Sequence, residues 1–427
     1  MSESFAIITF GCRVNQADSL VLETELRARG AHPVAPDGAD LVVVNTCSVT
    51  SGADQGARQA IRRIARTNPS ARVVVTGCYA TRRPDEVAAL PNVVRVVVNR
   101  DKDRLVSLLE EEAWVSTAAR FGDGDDACGG RVALPGYAGR TSLTLRVQTG
   151  CEEHCSYCII PQTRGSGRSH PMTLVLQQIG TAIAAGYKEI VLTGVHLGSY
   201  GRDLEDGSSI TALVRELAAW PDEAIFRVSS LEPMDCTREM VEYMAGSPRL
   251  APHFHLPLQH ASDAMLSAMR RPYVFAQYER LVHHIRERMP QASIGSDLIV
   301  GFPGESADDF DDMRARVRDL PLTHLHVFPY SDRPGTDASV REGKVPGATI
   351  RARAREIRDI GAGLTARFRE SQIGARMRAL TVDEGWSAVT PNYLKVQLDR
   401  QLPRNEWTDV LIENADPLRA RVVGATL

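Results

Sequence analysis

Short runs of β-branched residues alternate with helical patterns along the first quarter of the chain. The predicted strands cover residues 5–10, 41–45, 72–76 and 93–98, and the predicted helices cover residues 18–29, 54–67, 84–90 and 101–113. A strand that is repeatedly followed by a helix is typical of a parallel sheet with helices on both faces. The pattern therefore predicts a doubly wound α/β domain over residues 1–115.

A second series of strand patterns begins at residue 142, after a Gly- and Asp-rich stretch without periodicity. We interpret that stretch, residues 116–141, as a linker. The second series covers residues 143–147, 189–193, 225–229, 253–257, 294–300 and 324–329. Six βα units are too few for an eightfold barrel, so residues 142–370 are predicted to form a partial (βα)6 barrel with ligands at the carboxyl ends of its strands.

The end of the chain changes character again. An Arg-rich helix is predicted over residues 347–374, and four short strand patterns separated by turns follow it. The strand patterns cover residues 377–382, 393–398, 408–413 and 420–423. They predict a small antiparallel β-barrel within residues 371–427.

Composition and charge describe a globular protein of two to three domains, because 427 residues exceed one ordinary core. Its apolar runs are too short to cross a bilayer and its N-terminus lacks a signal-peptide pattern, so we expect a cytoplasmic protein with no membrane partner. The net charge of −3 gives no general reason to expect a polyanionic partner, although a balanced total can hide a basic patch. Eight cysteines in a long cytosolic chain favour metal binding or catalysis over disulfides.

Three of the cysteines stand together in the sequence CEEHCSYC. Cys151, Cys155 and Cys158 supply three thiolates from one loop, and three ligands on a four-iron cube leave one iron free to bind a substrate. Purely structural iron–sulfur sites normally have all four positions closed by protein. A structural zinc loop is the alternative, but such loops usually have a fourth ligand nearby, and none is obvious here.

Three further cysteines are far apart in the sequence but share one context. Cys12, Cys47 and Cys78 each directly follow a predicted strand of the first domain. Because loops at the carboxyl ends of neighbouring parallel strands converge on one edge, these thiols could meet there and hold a second cluster. Three unrelated buried cysteines are the alternative. Cys128 and Cys236 fit neither set and are expected not to bind metal.

Together these motifs resemble those of the methylthiotransferase family of radical S-adenosylmethionine enzymes, over nearly the whole chain. The matching stretches are FGCRVNQADS, VNTCSVT, GCYA, CEEHCSYCIIPQTRGSGRS, LTGVHLGSYG, RVSSLEP, HLPLQHASDAMLSAMRRPY, SDLIVGFPGES and HVFPYSDRPGT. The terminal barrel, with NYLKVQL, resembles the RNA-binding TRAM module of these enzymes.

The sequence GCRVNQADS looks most like the branch that acts on N6-threonylcarbamoyladenosine beside the tRNA anticodon. The isopentenyladenosine branch usually has Gln-Met-Asn after its first cysteine, and the ribosomal-protein branch has Pro-Lys-Asn. This chain has Arg13, Val14 and Asn15 at these positions.

The resemblance implies that a methylthio group replaces the C2 hydrogen of that adenosine, at position 37 of the anticodon loop. It implies two [4Fe–4S] clusters and two molecules of S-adenosylmethionine, one as radical source at CEEHCSYC and one as methyl donor to the sulfur carried by the second cluster. The implied partners are the tRNA anticodon stem-loop, an electron donor of flavodoxin or ferredoxin type, and a sulfur donor that the sequence does not identify. The alternatives are methylthiolation of isopentenyladenosine tRNA or of a ribosomal-protein side chain, and a non-catalytic iron–sulfur RNA-binding protein.

The same resemblance, with positions at predicted strand ends, assigns further residues to the cofactor, while residue type and local charge suggest contacts with RNA. The residues predicted to bind S-adenosylmethionine are Tyr157, Gly194, Ser230, Glu232, Gln259 and Asp297. The predicted RNA contacts are Arg164, Arg168, Arg376 and Tyr393. For Tyr157 the alternative is core packing, for Asp297 it is a turn cap, and for Arg164 and Arg168 it is simple solvation.

Overall fold

The computed structural model describes residues 3–111, 135 and 141–424. Apart from residues 135 and 141, the predicted linker lies outside the described residues, and so does Cys128. None of the described helices is both long enough and apolar enough to cross a membrane.

The N-terminal residues form a five-stranded parallel sheet in the order β2-β1-β3-β4-β5. Its strands are β1 (Ser4–Thr9), β2 (His32–Pro33), β3 (Leu41–Thr46), β4 (Arg72–Gly77) and β5 (Val93–Val97), and its helices are α1 (Arg13–Ala28), α2 (Ser51–Thr67), α3 (Cys78–Arg82), α4 (Pro84–Ala88) and α5 (Leu105–Glu111). Alternate residues of β3 enter two separate cores: Val42 and Val44 pack with α2, while Leu41 and Val43 pack with α1 and α5. The predicted doubly wound sheet is confirmed.

Residues from 142 onward form six parallel strands with helices outside them. The strands are β6 (Ser142–Arg146), β9 (Glu189–Thr193), β10 (Ile225–Val228), β11 (His253–His255), β12 (Ser293–Val300) and β13 (His324–Pro329), and a hairpin of β7 (Gln148–Thr149) and β8 (Arg168–Ser169) follows the first of them. They form two three-stranded sheets, β10-β9-β6 and β11-β12-β13, which isolated bridges such as Ser230–His255 connect. The predicted partial barrel is confirmed.

Eight helices accompany these strands among the described residues. They are α6 (Ile160–Arg164), α7 (Met172–Ala184), α8 (Ile210–Ala218), α9 (Arg238–Gly246), α10 (Asp263–Ala268), α11 (Phe275–Arg288), α12 (Ala307–Asp319) and α13 (Gly347–Glu370). Their apolar stripes bury a continuous core against the strands, as Leu213 and Leu217 of α8 show beside Phe226 of β10. The helix predicted up to residue 374 ends at Glu370.

The C-terminal residues form a closed five-stranded barrel in the order β14-β15-β16-β18-β17. Its strands are β14 (Arg376–Val382), β15 (Ser387–Val389), β16 (Lys395–Leu398), β17 (Trp407–Ala415) and β18 (Leu418–Val423). The predicted small barrel is confirmed: four of its five pairings are antiparallel, and β16 and β18 run parallel. An odd number of strands cannot close a ring with antiparallel pairs alone. The fifth strand, β15, is too short to leave a periodic pattern in the sequence.

The N-terminal sheet domain spans the open side of the partial barrel. On one edge, Arg146 of β6 donates to Asp18 of α1 at 2.6 Å. On the other edge, Arg333, in the loop after β13, donates to the Ser48 carbonyl oxygen at 2.7 Å. The carboxyl ends of β1, β3 and β4 are thereby held against the barrel.

Candidate functional site

The CEEHCSYC loop begins at a tight turn after β7. Gly150 has a φ of +77°, and a Cβ there would lie 1.9 Å from the Ser166 carbonyl oxygen, so only glycine fits. The Cys151 amide donates to the Gly165 carbonyl at 3.0 Å, and the Cys158 amide donates to the Cys155 carbonyl at 3.1 Å. The three cysteines are partly buried and form no disulfide.

Two cationic side chains lie beside these thiols. Arg271 Nη1 donates to Cys155 Sγ at 3.1 Å and also pairs with Glu232. His196 Nδ1 lies 3.8 Å from Cys151 Sγ, and its Nε2 lies 2.8 Å from Asp235 Oδ2. Burial alone would lower the pKa of His196, but its contacts with Asp235 and Cys151 raise that pKa to about 10. Positive charge beside a thiol favours the thiolate, which is the form that binds iron.

The sequence reasoning missed Arg271 and His196, although both lie inside the quoted motifs HASDAMLSAMRRPY and LTGVHLGSYG. Desolvation raises the pKa of the Cys158 thiol to about 12. An iron centre would have to offset the cost of ionising this buried thiol, since coordination by a metal removes the thiol proton.

The second cysteine set converges at the sheet edge as predicted. Cys12 caps the N-terminus of α1, Cys47 follows β3, and Cys78 opens α3 directly after β4. Burial, together with the nearby thiols of Cys12 and Cys78, raises the pKa of Cys47 to about 11. Gly11, with a φ of +88°, makes room for this approach, because a Cβ there would lie 2.6 Å from Cys47 Sγ. The structure thus brings together three residues that are remote in sequence.

Arg164 is not the surface RNA contact that the sequence predicts. It is 6% exposed, and its Nη2 donates to Asn15 Oδ1 at 2.5 Å. It also lies 3.4 Å from Asp18 Oδ2, and, against the effect of burial, the nearby Cys78 thiol and Asp18 raise its pKa. A buried and paired guanidinium cannot reach phosphates outside the protein. Its charge instead lies beside the second cysteine set.

The two cysteine sets are neighbours across α6. This helix begins just after Cys158 and ends at Arg164, and six residues of mostly helical chain span about 9 Å. Asn99 joins the same two regions, because its Nδ2 contacts Cys78 Sγ at 3.6 Å and Thr163 O at 2.8 Å. The two sets therefore lie at the two ends of one short helix.

Neither cysteine set has the compact geometry of a single-ion site. Among residues 3–111, 135 and 141–424, one group of three metal-binding side chains has all its ligand atoms within 4.8 Å of one another. It consists of His255, Asp297 and His326 and includes no cysteine. Tetrahedral zinc would require thiolates about 4 Å apart. More widely spaced thiols fit a four-iron cube, so the donor sets suit iron–sulfur clusters better than zinc.

Comparisons with known proteins identify the family. Residues 4–99 match a family described as Uncharacterized protein family UPF0004, and residues 145–317 match the Radical SAM superfamily. A protein of Aquifex aeolicus (strain VF5), named threonylcarbamoyladenosine tRNA methylthiotransferase MtaB, is 37% identical over 95% of this chain and 99% of its own length. This chain belongs to the methylthiotransferase family of radical S-adenosylmethionine enzymes.

Other relatives of this methylthiotransferase include a further MtaB protein and a protein with a different name. The Bacillus subtilis (strain 168) protein of the same name is 34% identical over 80% of this chain and 76% of its own. A Parafrankia protein named tRNA-2-methylthio-N(6)-dimethylallyladenosine synthase is 33% identical over 90% of this chain and 78% of its own. The chain is accordingly an enzyme of this class, and an iron–sulfur cluster and S-adenosylmethionine are the cofactors that its superfamily implies.

Solved structures of remote relatives share the fold. The radical S-adenosylmethionine methyltransferase TsrM from Kitasatospora setae has a TM-score of 0.57 at 17% identity, covering 80% of this chain and 77% of that one. The cobalamin-dependent S-adenosylmethionine radical enzyme OxsB has a TM-score of 0.52 at 10% identity, covering 86% of this chain and 56% of that one. At these identities the likeness shows the fold alone.

Several residues predicted to bind S-adenosylmethionine lie close to the CEEHCSYC loop of this methylthiotransferase. Tyr157 packs against an apolar cluster that includes Met265 and Phe302. Glu232 meets Arg271 beside Cys155, where burial raises the pKa of its carboxyl and Arg271 opposes that shift.

Two of the predicted residues have little freedom at their positions. Gly194 packs closely, because a Cβ there would lie 2.9 Å from Gln148 Oε1. Gln259 has a φ of +69°, a conformation that non-glycine residues rarely adopt outside functional sites and turns. Their roles toward the cofactor remain predictions.

The positions of Asp297 and Ser230 differ from those of the other predicted cofactor contacts. Asp297 lies inside β12 rather than after it, so neither the predicted strand-end position nor a turn cap describes it. Its Oδ1 accepts from His255 at 2.7 Å and lies 3.1 Å from His326 Nδ1. Although burial raises the pKa of Asp297, these two histidines lower it to about 2. Ser230 forms a backbone bridge with His255 and so adjoins the same group.

The remaining predicted RNA contacts are accessible. Arg168 is exposed on β8, and Arg376 is exposed on β14, where its Nη2 lies 3.3 Å from Asp409 Oδ2. Tyr393 is 45% exposed in the turn before β16. Their contact with RNA remains a prediction. Cys236, expected not to bind metal, is buried among apolar side chains of the barrel core.

Proposed function

We propose that this chain methylthiolates C2 of N6-threonylcarbamoyladenosine at position 37 of the tRNA anticodon loop. In this proposal it uses two [4Fe–4S] clusters and two molecules of S-adenosylmethionine, one as methyl donor and one as radical source. The names of the MtaB relatives support the nucleoside, and their identity extends over most of this chain.

The observation that carries the proposal is the pair of cysteine sets at the two ends of α6. One set lies at the mouth of the partial barrel, and the other lies at the carboxyl edge of the sheet that closes its open side. A substrate held between them would meet both reactive groups without moving. Such positioning replaces an encounter of separate molecules and can contribute most of a rate enhancement.

The C2–H bond of adenosine is strong and non-acidic, so acid–base side chains alone cannot exchange it. When bound, the two clusters would supply the reducing electron for S-adenosylmethionine cleavage and the sulfur for transfer. The protein's own residues bind and orient. Arg271 and His196 hold positive charge beside Cys155 and Cys151, and Asp235 fixes the orientation of the His196 ring.

Glu232 is suited to receive the amino group of S-adenosylmethionine, since its carboxylate lies next to Cys155 and shares Arg271 with it. Gly194 lets Gln148 pack closely against the end of β9 next to the CEEHCSYC loop. On the other side, Arg164 and Asn99 contact Cys78 and hold the second set against α6. These roles complete the site without a proton-transfer residue at C2.

Anaerobic reconstitution of the full chain tests the proposal. We expect roughly eight iron atoms per chain, and roughly four in a variant with either cysteine set changed to alanine. With an anticodon stem-loop carrying threonylcarbamoyladenosine, a chemical reductant and sulfide, mass spectrometry should show a methylthio group in place of hydrogen. A flavodoxin or ferredoxin should replace the chemical reductant, and the physiological sulfur donor would be sought by the same assay.

The same assay with other substrates separates the alternative functions. Product only from an isopentenyladenosine stem-loop, or only from a ribosomal protein, would contradict the proposed nucleoside. Bound clusters and RNA without any 5′-deoxyadenosine from S-adenosylmethionine would indicate a non-catalytic iron–sulfur RNA-binding protein.

A further inference from the structure

A group of basic and aromatic side chains lies where the three domains meet, next to Cys12. We call it the Arg–His face. Its members are Arg13, Arg227, His253, His255, His324, His326 and Tyr393. They come from α1, from barrel strands β10, β11 and β13, and from the C-terminal barrel.

Tyr393 is the centre of this face. Arg13 Nη2 donates to its hydroxyl at 2.8 Å, and the Arg13 guanidinium lies 5.3 Å from the ring centroid. The Arg227 guanidinium lies 4.5 Å from the same centroid, and the His253 ring lies 4.8 Å from it. One tyrosine of the terminal barrel therefore contacts both other domains.

The histidines form a compact set on β11 and β13. The ring centroids of His255 and His326 are 5.1 Å apart, and those of His324 and His326 are 5.6 Å apart. Gly295 of β12 lies between the two strands, and a Cβ there would lie 2.1 Å from His324 Nε2. The chain thus leaves space at Gly295 for the His324 ring.

The two carboxylates at this face already have partners. Glu189 pairs with Arg227 at 3.0 Å, and Asp297 accepts from His255 and His326. Arg227 is fully buried; its Nη1 donates to the Pro391 carbonyl oxygen at 2.9 Å, and its Nη2 has no hydrogen-bond partner. In the part of the chain that the structure describes, no carboxylate pairs with half-buried Arg13. Because Arg227 is fully buried, Arg13 is the guanidinium of this face that an anion from outside can reach, and the lack of a paired carboxylate leaves its charge available to one.

We propose that the Arg–His face binds the carboxylate of the threonylcarbamoyl group on the substrate adenosine, with Arg13 as its principal contact. This inference rests on the function proposed above and names the residues that would select its substrate. In adenine, C2 and C6 both flank N1, so the N6 substituent leaves the ring close to the reacting carbon. Arg13 directly follows Cys12, a ligand of the proposed sulfur-carrying cluster, so one adenosine could reach both.

The charge of the substituent decides the selectivity. A threonylcarbamoyl group carries a carboxylate, whereas a dimethylallyl group carries no charge and would leave the Arg13 guanidinium desolvated without an anionic partner. Sites that lose hydrogen-bond partners in this way discriminate strongly against the uncharged ligand.

Binding measurements on the full chain without clusters test the face independently of turnover. The probes are an anticodon stem-loop with threonylcarbamoyladenosine and the same stem-loop with the carboxylate converted to a methyl ester. We expect the wild type to bind the acid about tenfold more tightly than the ester. Arg13→Gln should remove most of this preference, and Arg13→Lys should keep part of it. Arg288→Gln is the control. It removes an exposed arginine of α11 that pairs with Glu242 of α9, and it should leave the preference unchanged.

Turnover by the reconstituted enzyme gives the second readout. Arg13→Gln should raise KM for the acid about tenfold with a smaller change in kcat, because the interaction is made in the bound substrate as well as in the transition state. If an active wild type has equal KM for acid and ester, the Arg–His face does not bind the carboxylate, and the proposed function is left intact. If no RNA yields product, the proposed function fails, and the binding comparison still decides the face: equal affinity for acid and ester overturns it.

Discussion

The CEEHCSYC set lies in one short loop and is partly exposed, whereas the second set comes from three separate strand ends and has two of its three thiols buried. The geometry of the first depends on turns at Gly150 and Gly165 and on contacts within its own domain, such as those of Arg271 and His196. The geometry of the second depends on the strand order of a sheet and on contacts with another domain, through Arg164 and Asn99. Distant substitutions should therefore damage the second site and spare the first.

The largest expected effect separates the two sets by their products. Cys155→Ala should lower 5′-deoxyadenosine formation by roughly a thousandfold or more, because it removes a ligand of the proposed radical source. Cys47→Ala should keep S-adenosylmethionine cleavage and abolish the methylthio product. Both quantities can be measured in one anaerobic reaction by liquid chromatography and mass spectrometry.

Cys236→Ala is the matched control for this pair, since Cys236 is buried but contacts neither set. It should retain full iron and both products. Loss of S-adenosylmethionine cleavage in Cys47→Ala would show that the two sets do not act separately.

The second largest expected effect concerns a buried ion network around Asp18. Asp18 contacts Lys102 at 2.9 Å, Arg146 at 2.6 Å and Arg164 at 3.4 Å, so it neutralises cations from both domains. Asp18→Asn should lower the free energy of unfolding by about 3–5 kcal/mol, because it leaves buried cations without their carboxylate. Thermal unfolding should show the loss, and the iron of the second set should fall more than that of the first.

The same network predicts a pH dependence. Burial raises the pKa of Asp18, but the three cations outweigh it and hold that pKa well below its usual value. A lowered folded-state pKa contributes stability above the unfolded pKa of about 4, and this contribution disappears as the pH falls further. The difference in unfolding temperature between wild type and Asp18→Asn should be constant from about pH 5.5 to 8 and shrink below about pH 4. A difference that grows on acidification would contradict this assignment.

The sequence predicted the features that depend on local pattern. Strands such as β3 and β4 have continuous β-branched runs, and the spacing of CEEHCSYC marks a cluster loop by itself. The sequence could not predict contacts between side chains that are remote along the chain. Arg164, flanked by glycine in the sequence, looks exposed, but its partners Asn15 and Asp18 lie in another domain. The contacts of Arg271 and of Tyr393 also join residues that are remote in sequence, so no local pattern predicted them.

A steric change at the second set should have a moderate effect. Gly11→Ala would place a methyl group against Cys47 and force alanine into a left-handed conformation. We expect a cost of about 1–3 kcal/mol and the loss of about half of the bound iron, with S-adenosylmethionine cleavage retained. Iron and sulfide analysis together with 5′-deoxyadenosine formation measures this outcome.

Gly30→Ala provides the control, since Gly30 has a similar φ of +83° with no atom within 4 Å of an added Cβ. It shares the backbone strain without the contact to a cysteine. Equal iron in the two variants would mean that the approach of Gly11 to Cys47 is not needed for the cluster.

The smallest effect concerns the contact that links the loop after β13 to the second set. Arg333 donates to the Ser48 carbonyl through Nε and Nη2, and Nη2 also lies 2.9 Å from Asp54 Oδ2. Lysine keeps the charge but cannot form this fork, so Arg333→Lys should cost about 1–2 kcal/mol in unfolding free energy and lower the second set's iron only slightly. Lys344→Gln, which removes an exposed ion pair with Asp332 and two hydrogen bonds to backbone carbonyls in the same segment, should have a smaller effect on both quantities. If Arg333→Lys matches Lys344→Gln in both measurements, this edge of the barrel does not support the second set, and the support must come from α1 and α6 alone.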